Sequence, residues 1–164
     1  MFLIKRIIGL GIAFILSATF SYIFISSHNT LWNLFWLKTQ NFDISLLIIY
    51  SSLMHDIKGF LSPVIVQWGI PISFYTIICA TLLIAFMITA IVRIILPINS
   101  KLSYGIAGFC SIYVMNMLIT MRYDGITLIS SARENFGLIT LCLIGFLGGF
   151  LFDFLVSKLM RRGS

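Results

Sequence analysis

Four stretches of this chain, residues 7–26, 72–96, 102–121 and 136–156, are apolar almost throughout and contain only two charges, Arg93 and Asp153. A bilayer hydrocarbon core of about 30 Å is crossed by roughly 20 apolar residues in a helix. No water is present there to satisfy a free amide or carbonyl, so such a stretch has to close its own backbone hydrogen bonds. The pattern therefore predicts an all-α membrane protein, a bundle of four transmembrane helices. Composition agrees: 60% of the residues are hydrophobic and 10% charged, against about 45–50% and 25% in soluble domains. No Pro-rich, Ser-rich or charged linker divides the chain and no internal repeat is visible, so residues 1–164 read as one membrane domain.

The net charge of +6 is not a nucleic-acid signature, because the basic residues form no aromatic-interleaved basic surface. They sort by membrane side instead. With the N-terminus inside, Lys5, Arg6, Arg93, Lys101, Lys158, Arg161 and Arg162 share one side with Asp153 and carry all of the +6. Lys38, Lys58, Arg122 and Arg133 share the other side with Asp43, Asp56, Asp124 and Glu134, and those charges cancel. Excess Lys and Arg marks the cytoplasm, so both termini are expected there, in a bacterial inner membrane. The first stretch outruns the apolar core of a signal peptide and reads as a retained anchor. Cys79, Cys110 and Cys142 all fall in apolar runs, which fits buried thiols and not a disulfide framework or metal site.

Helices in lipid gain little hydrophobic attraction for one another and associate through small residues and hydroxyls. Each span carries such a row at spacing four, one helix face: Gly9, Ala13, Ser17 and Ser21; Thr81, Ala85 and Thr89; Ser103, Ala107 and Ser111; Gly145 and Gly149. The second row continues into Arg93 and the fourth into Asp153, which predicts a partly buried Arg93–Asp153 ion pair tying the second span to the fourth. Snorkelling of Arg93 and hydration of Asp153 are the plainer alternative. Asn116 is expected to hydrogen-bond between helices, worth on the order of 1 kcal/mol. Met115, Met117 and Met121 around it are read as packing, and Gly145 with Gly149 also offers a dimer face.

Residues 28–71 form a long outer segment between the first two spans. It begins with Trp32 and Trp36 in an aromatic run suited to the headgroup region. From about residue 44 to 61, Leu46, Ile49, Tyr50, Leu53, Met54, Ile57, Phe60 and Leu61 follow helical spacing opposite Ser45, Ser51, Ser52, His55, Asp56 and Lys58. This predicts an additional amphipathic helix, N-capped by Asp43, lying on the surface or roofing the bundle. A short strand around Val64–Gln67 is expected to lead through Trp68, Gly69 and Pro71 into the second span. In the last outer connection Ser131 and Glu134 have the spacing of a capping box.

No GxSxG, HExxH, P-loop or dinucleotide-binding glycine pattern is present. His55 beside Asp56 resembles a base and its orienter, but neighbouring helix positions point about 100° apart. His28 and His55 would ligate haem or a metal only if the fold joined them. No catalytic, metal or cofactor residue is assigned, and an enzyme is disfavoured. The remaining candidate surface for a partner or ligand is Trp32, Trp36, His55, Asp56, Arg133 and Glu134. The expected role is an accessory, assembly or protective subunit that sits in the lipid bilayer and binds another membrane protein, or itself. In size, charge and span count the chain is similar to the small colicin immunity proteins, with no shared motif. A small oligomeric transporter or channel component is the first alternative, and an outward-facing membrane enzyme or redox subunit the second.

Overall fold

The computed structural model describes residues 2–67, 70–96 and 98–161. Among these described residues it is predominantly helical, with five α-helices: α1 Phe2–Thr39, α2 Leu46–Gly59, α3 Phe74–Ile95, α4 Ser100–Arg122 and α5 Asn135–Arg161. Four of them, α1, α3, α4 and α5, are long and apolar enough to cross a membrane, as a multi-pass integral membrane protein requires.

Contacts fix an antiparallel order. Ser17 of α1 donates to the Gly148 carbonyl of α5 at 2.6 Å, Thr140 near the start of α5 meets His28 at 2.9 Å, and Gly9 lies beside Leu159. Gly108 and Tyr104 of α4 abut Gly145 and Gly149 of α5, while Phe86 of α3 packs on Tyr104. The ends of α1 and α5 near the chain termini therefore share one end of the bundle. The opposite, distal end carries α2, the segment joining α2 to α3 and the α4–α5 connection.

The largest departure from expectation is α1. The polar run Ser26–Thr30 looks like a membrane boundary, yet the helix continues to Thr39. Residues 27–39 hold no glycine or proline to break it. The helix stops where Asn41 enters the left-handed region (φ 64°), with Asn41 N–H donating to Lys38 and Phe42 N–H to Leu37. That is the Schellman pattern of bonds, with asparagine in place of glycine. At 1.5 Å per residue the 38 residues of α1 span about 57 Å, and even a 40° tilt leaves more than a bilayer of about 30 Å can cover. The aromatic run with Trp32 and Trp36 is thus the distal part of α1 and not a separate surface segment.

The other boundaries move less. α2 is capped by Ser45, which accepts from Ile48 N–H, and not by Asp43. α3 starts at Phe74, with Ser73 accepting from Thr76 N–H at 3.2 Å, because the residues before it pair as strands. β1 (Pro63–Gln67) and β2 (Ile70–Ser73) form an antiparallel hairpin with an irregularity between Pro63 and Ile65. Trp68 and Gly69 lie outside the described residues. So do Pro97 and the last three positions, Arg162 included.

The small-residue rows divide. Ala13, Ser17 and Ser21 are buried, and Gly145 with Gly149 packs against α4 inside the same chain, so that face is already occupied and does not serve a dimer. A Cβ at Gly149 would run into the Tyr104 carbonyl, and one at Gly108 into the Gly145 carbonyl. On α3 the buried face is Phe74, Ile78, Leu82 and Phe86. Thr81 and Thr89 return their hydroxyls to their own helix, and Ala85 sits with them at the edge. On α4 the closest approach uses Gly105 and Gly108, with Ser111 the buried member of the expected row; Ser103 bonds the Asn99 carbonyl and Ala107 is half-buried. Large side chains fit α3 because it meets aromatic rings, whereas α4 and α5 touch backbone to backbone.

Candidate functional site

The distal end collects most of the polar chemistry. α2 runs antiparallel to the end of α1: Tyr22 donates its hydroxyl to the Ile57 carbonyl, Thr30 donates to Asp56 Oδ2 at 2.7 Å, and Leu34 and Leu37 face Ser51 and Ser52. Between them lies a groove of about 510 Å³ also lined by Asn33, His55 and Asp56. Ile49, Ser52, Leu53, Asp56 and Ile57 are the half-buried residues of α2, a face of helical spacing that mixes apolar and polar residues. Every residue of α2 remains at least partly exposed.

This packing splits the apolar face of α2. Its C-terminal half is anchored: Ile57 and Phe60 rest on the core, the Phe60 ring lies 5.1 Å from Phe74, and Tyr22 and Tyr75 meet edge to face at 5.2 Å. Its N-terminal half stands free, with Leu46 84% and Leu47 77% exposed. Phe35 (69% exposed), Trp36 and Phe42 are exposed in the same turn of the helical hairpin. The tip of the α1–α2 hairpin is thus an apolar, aromatic cap bearing Lys38 and Asp43 as its charges.

Beside Thr30 on α1, Ser131 N–H donates to Asn29 Oδ1 at 3.3 Å, and Ser130 Oγ lies within hydrogen-bond reach of both Asn29 Oδ1 (2.7 Å) and Asn33 Oδ1 (2.5 Å), its one hydroxyl proton serving one of them at a time. These bonds hold the short 3-10 turn Ser130–Arg133 against α1. The expected capping box is therefore replaced: the Ser131 side chain is buried in that contact, and Leu138 N–H takes the main-chain carbonyl of Glu134 at 2.9 Å. Trp32 stacks on His28 at 5.7 Å and leans on Phe136, so it belongs to the α1–α5 interface, whereas Trp36 faces outward.

The two histidines go to different neighbours, His28 to Thr140 and Trp32, His55 to Asp56. His55 Nδ1 reaches Asp56 Oδ1 at 3.5 Å, the one salt bridge among the described residues, with the imidazole side chain 86% exposed. At that length and exposure it is a surface contact worth little. Arg133 and Glu134 are both exposed, and Arg133 Nε donates to Thr127 Oγ1 at 3.3 Å.

At the end near the termini, Arg93 and Asp153 do not pair. Asp153, 6% exposed, accepts a hydrogen bond from Ser100 at the start of α4. The Arg93 guanidinium instead lies over the Tyr104 ring, 5.5 Å from its centroid, and Tyr104 meets Phe152 edge to face at 5.1 Å. The two charges that the sequence rows brought to similar depth thus go to different partners on α4, Arg93 to Tyr104 and Asp153 to Ser100. Asn116 likewise turns inward on its own helix, donating Nδ2 to the Ile112 carbonyl at 2.9 Å, and does not bridge helices.

Sequence reasoning passed over Tyr22, Asn29, Thr30, Asn33, Ser100, Tyr104 and Thr140. The spacing of Ser26, Asn29, Thr30 and Asn33 was the available signal, since these four share a helix face once α1 is extended. Compared with protein-family models, curated proteins and solved structures, the chain matches none.

Proposed function

We propose that the chain is a multi-pass inner-membrane protein with both termini in the cytoplasm, and that it acts as an accessory, assembly or protective subunit by binding another membrane protein through the tip of the α1–α2 hairpin. The observation carrying this reading is the free apolar cap of Phe35, Trp36, Phe42, Leu46 and Leu47. Six to ten residues of α1 separate Trp36 from the polar run Ser26–Thr30, a rise of about 9–15 Å. Asn29 bonds Ser131 of the α4–α5 connection, so that run lies level with the distal ends of α4 and α5 and the cluster extends past them, where the neighbouring spans no longer run. Several large exposed apolar side chains, aromatic ones among them, at one end of a helical hairpin are a common mark of a protein contact. The cancelling charges on the distal side and the excess at the other end support the orientation.

The test is mild-detergent affinity purification from the protein's native membranes, comparing wild type with a Leu46→Ser, Leu47→Ser, Phe35→Ser variant. A stoichiometric protein that co-purifies with wild type and is lost from the variant is the expected result. Retention of every co-purifying protein by the variant contradicts the proposal.

A further inference from the structure

Away from the hairpin, the distal halves of α4 and α5 enclose a second feature. A groove of about 440 Å³ is walled by Tyr113, Met117, Met121 and Leu138, with Asn116 in its lining. It continues past Gly125 and Thr127 into an adjoining hollow of about 440 Å³ that holds Arg133. Depth follows from length: α4 is 23 residues, about 35 Å, so Tyr113–Met121 runs from just past the bilayer middle to its distal surface. The groove is thus apolar where acyl chains lie and polar where headgroups lie.

Three groups are left available along it. Arg133 spends Nε on Thr127 and makes no other side-chain hydrogen bond among the described residues, which leaves both Nη groups for a two-pronged acceptor. Asn116 is 7% exposed, yet its Nδ2 donates only to Ile112, leaving its second hydrogen without an acceptor among the described residues. An amide so placed is unfavourable in hydrocarbon unless something accepts from it. Met117 and Leu138 offer adaptable apolar walls.

We propose that this groove binds one glycerophospholipid of the distal leaflet, with the phosphodiester on Arg133 and Thr127, an ester carbonyl on Asn116 Nδ2, and an acyl chain along Met117 and Leu138. A phosphate at the surface, an acceptor-only ester below it and a chain below that reproduce the order of the groups the groove presents. Arg122 and Arg133 are balanced by Asp124 and Glu134 on the same connection, so recognition rests on the phosphodiester and not on net lipid charge. This site is independent of the hairpin tip.

Native mass spectrometry of the full chain in a neutral detergent, with phosphatidylethanolamine, phosphatidylglycerol or diacylglycerol added, tests it. Both phospholipids are expected to give a one-to-one adduct and diacylglycerol a much weaker one. Arg133→Ala should lower phospholipid occupancy about tenfold, Arg133→Lys should restore part of it, and Met117→Trp should obstruct the acyl chain. Equal adducts in wild type, Arg133→Ala and Met117→Trp would overturn the site. Diacylglycerol binding as well as the phospholipids, or phosphatidylglycerol binding alone, would overturn recognition through the phosphodiester. Arg133 and Met117 are both exposed and lie on different elements, so loss of binding in either, at an unchanged unfolding temperature, supports the assignment.

Discussion

The α4–α5 seam and the α1–α2 hairpin are both pairs of antiparallel helices, but they are held by different physics. In the seam, Gly105, Gly108, Gly145 and Gly149 bring two backbones into contact, and dispersion over that surface does the work that water does elsewhere. In the hairpin, two side-chain hydrogen bonds and a few half-buried apolar residues join α2 to α1, and large side chains at the tip are mostly exposed. The first arrangement is complete within the chain. The second leaves a surface over, and a low-stability, incompletely covered element is where binding surfaces are drawn from.

The largest effect should come from the seam. Gly149→Leu places a side chain against the Tyr104 carbonyl and must part the helices, so the compact bundle is expected to be lost, as limited proteolysis and size exclusion in mild detergent would report. Leu143→Ala on the exposed face of the same helix should stay within about 0.5 kcal/mol of wild type. If Gly149→Leu were tolerated equally well, the seam would not be the foundation of the fold.

A smaller and local effect is expected in the hairpin. Tyr22→Phe and Thr30→Val each remove one hydrogen bond, about 1 kcal/mol, and should speed amide exchange across Leu46–Gly59 while leaving Ser100–Arg122 protected. Loss of protection throughout would mean that α2 is integral to the core. Smaller still is the coupling between Arg93 and Asp153. A double-mutant cycle through Arg93→Asp and Asp153→Arg should show no rescue, with an interaction term under about 0.5 kcal/mol. Recovery of stability in the doubly exchanged chain would reinstate the ion pair.

The same contrast explains what the sequence could and could not convey. Span number and approximate position were legible because lipid imposes a length and a composition that hold wherever the helix packs. The extension of α1 to Thr39 was not, because the polarity at Ser26–Thr30 serves contacts with α2, α5 and the α4–α5 connection and does not break the helix, and the terminator was an asparagine in a left-handed turn. Spacing put Arg93 and Asp153 at like depth, but only the packing reveals that Arg93 goes to Tyr104 and Asp153 to Ser100. Ser17 and Gly149 were visible as members of small-residue rows; that Ser17 meets Gly148 and Gly149 meets Tyr104 depends on register between helices, which no single helix encodes. Of the candidate surface, Trp36, His55, Asp56, Arg133 and Glu134 do lie accessible at the distal end, while Trp32 was drawn into the α5 interface by its stacking on His28 and Phe136.

The most direct test of the account is photo-crosslinking in intact native membranes, with a diazirine side chain at Leu47 on the hairpin tip and, as control, at Ile88 on the exposed face of α3. The account predicts a discrete protein adduct from position 47 and lipid adducts from position 88. Lipid adducts alone from both positions would contradict it, since the tip would then lie in the bilayer and not against a partner.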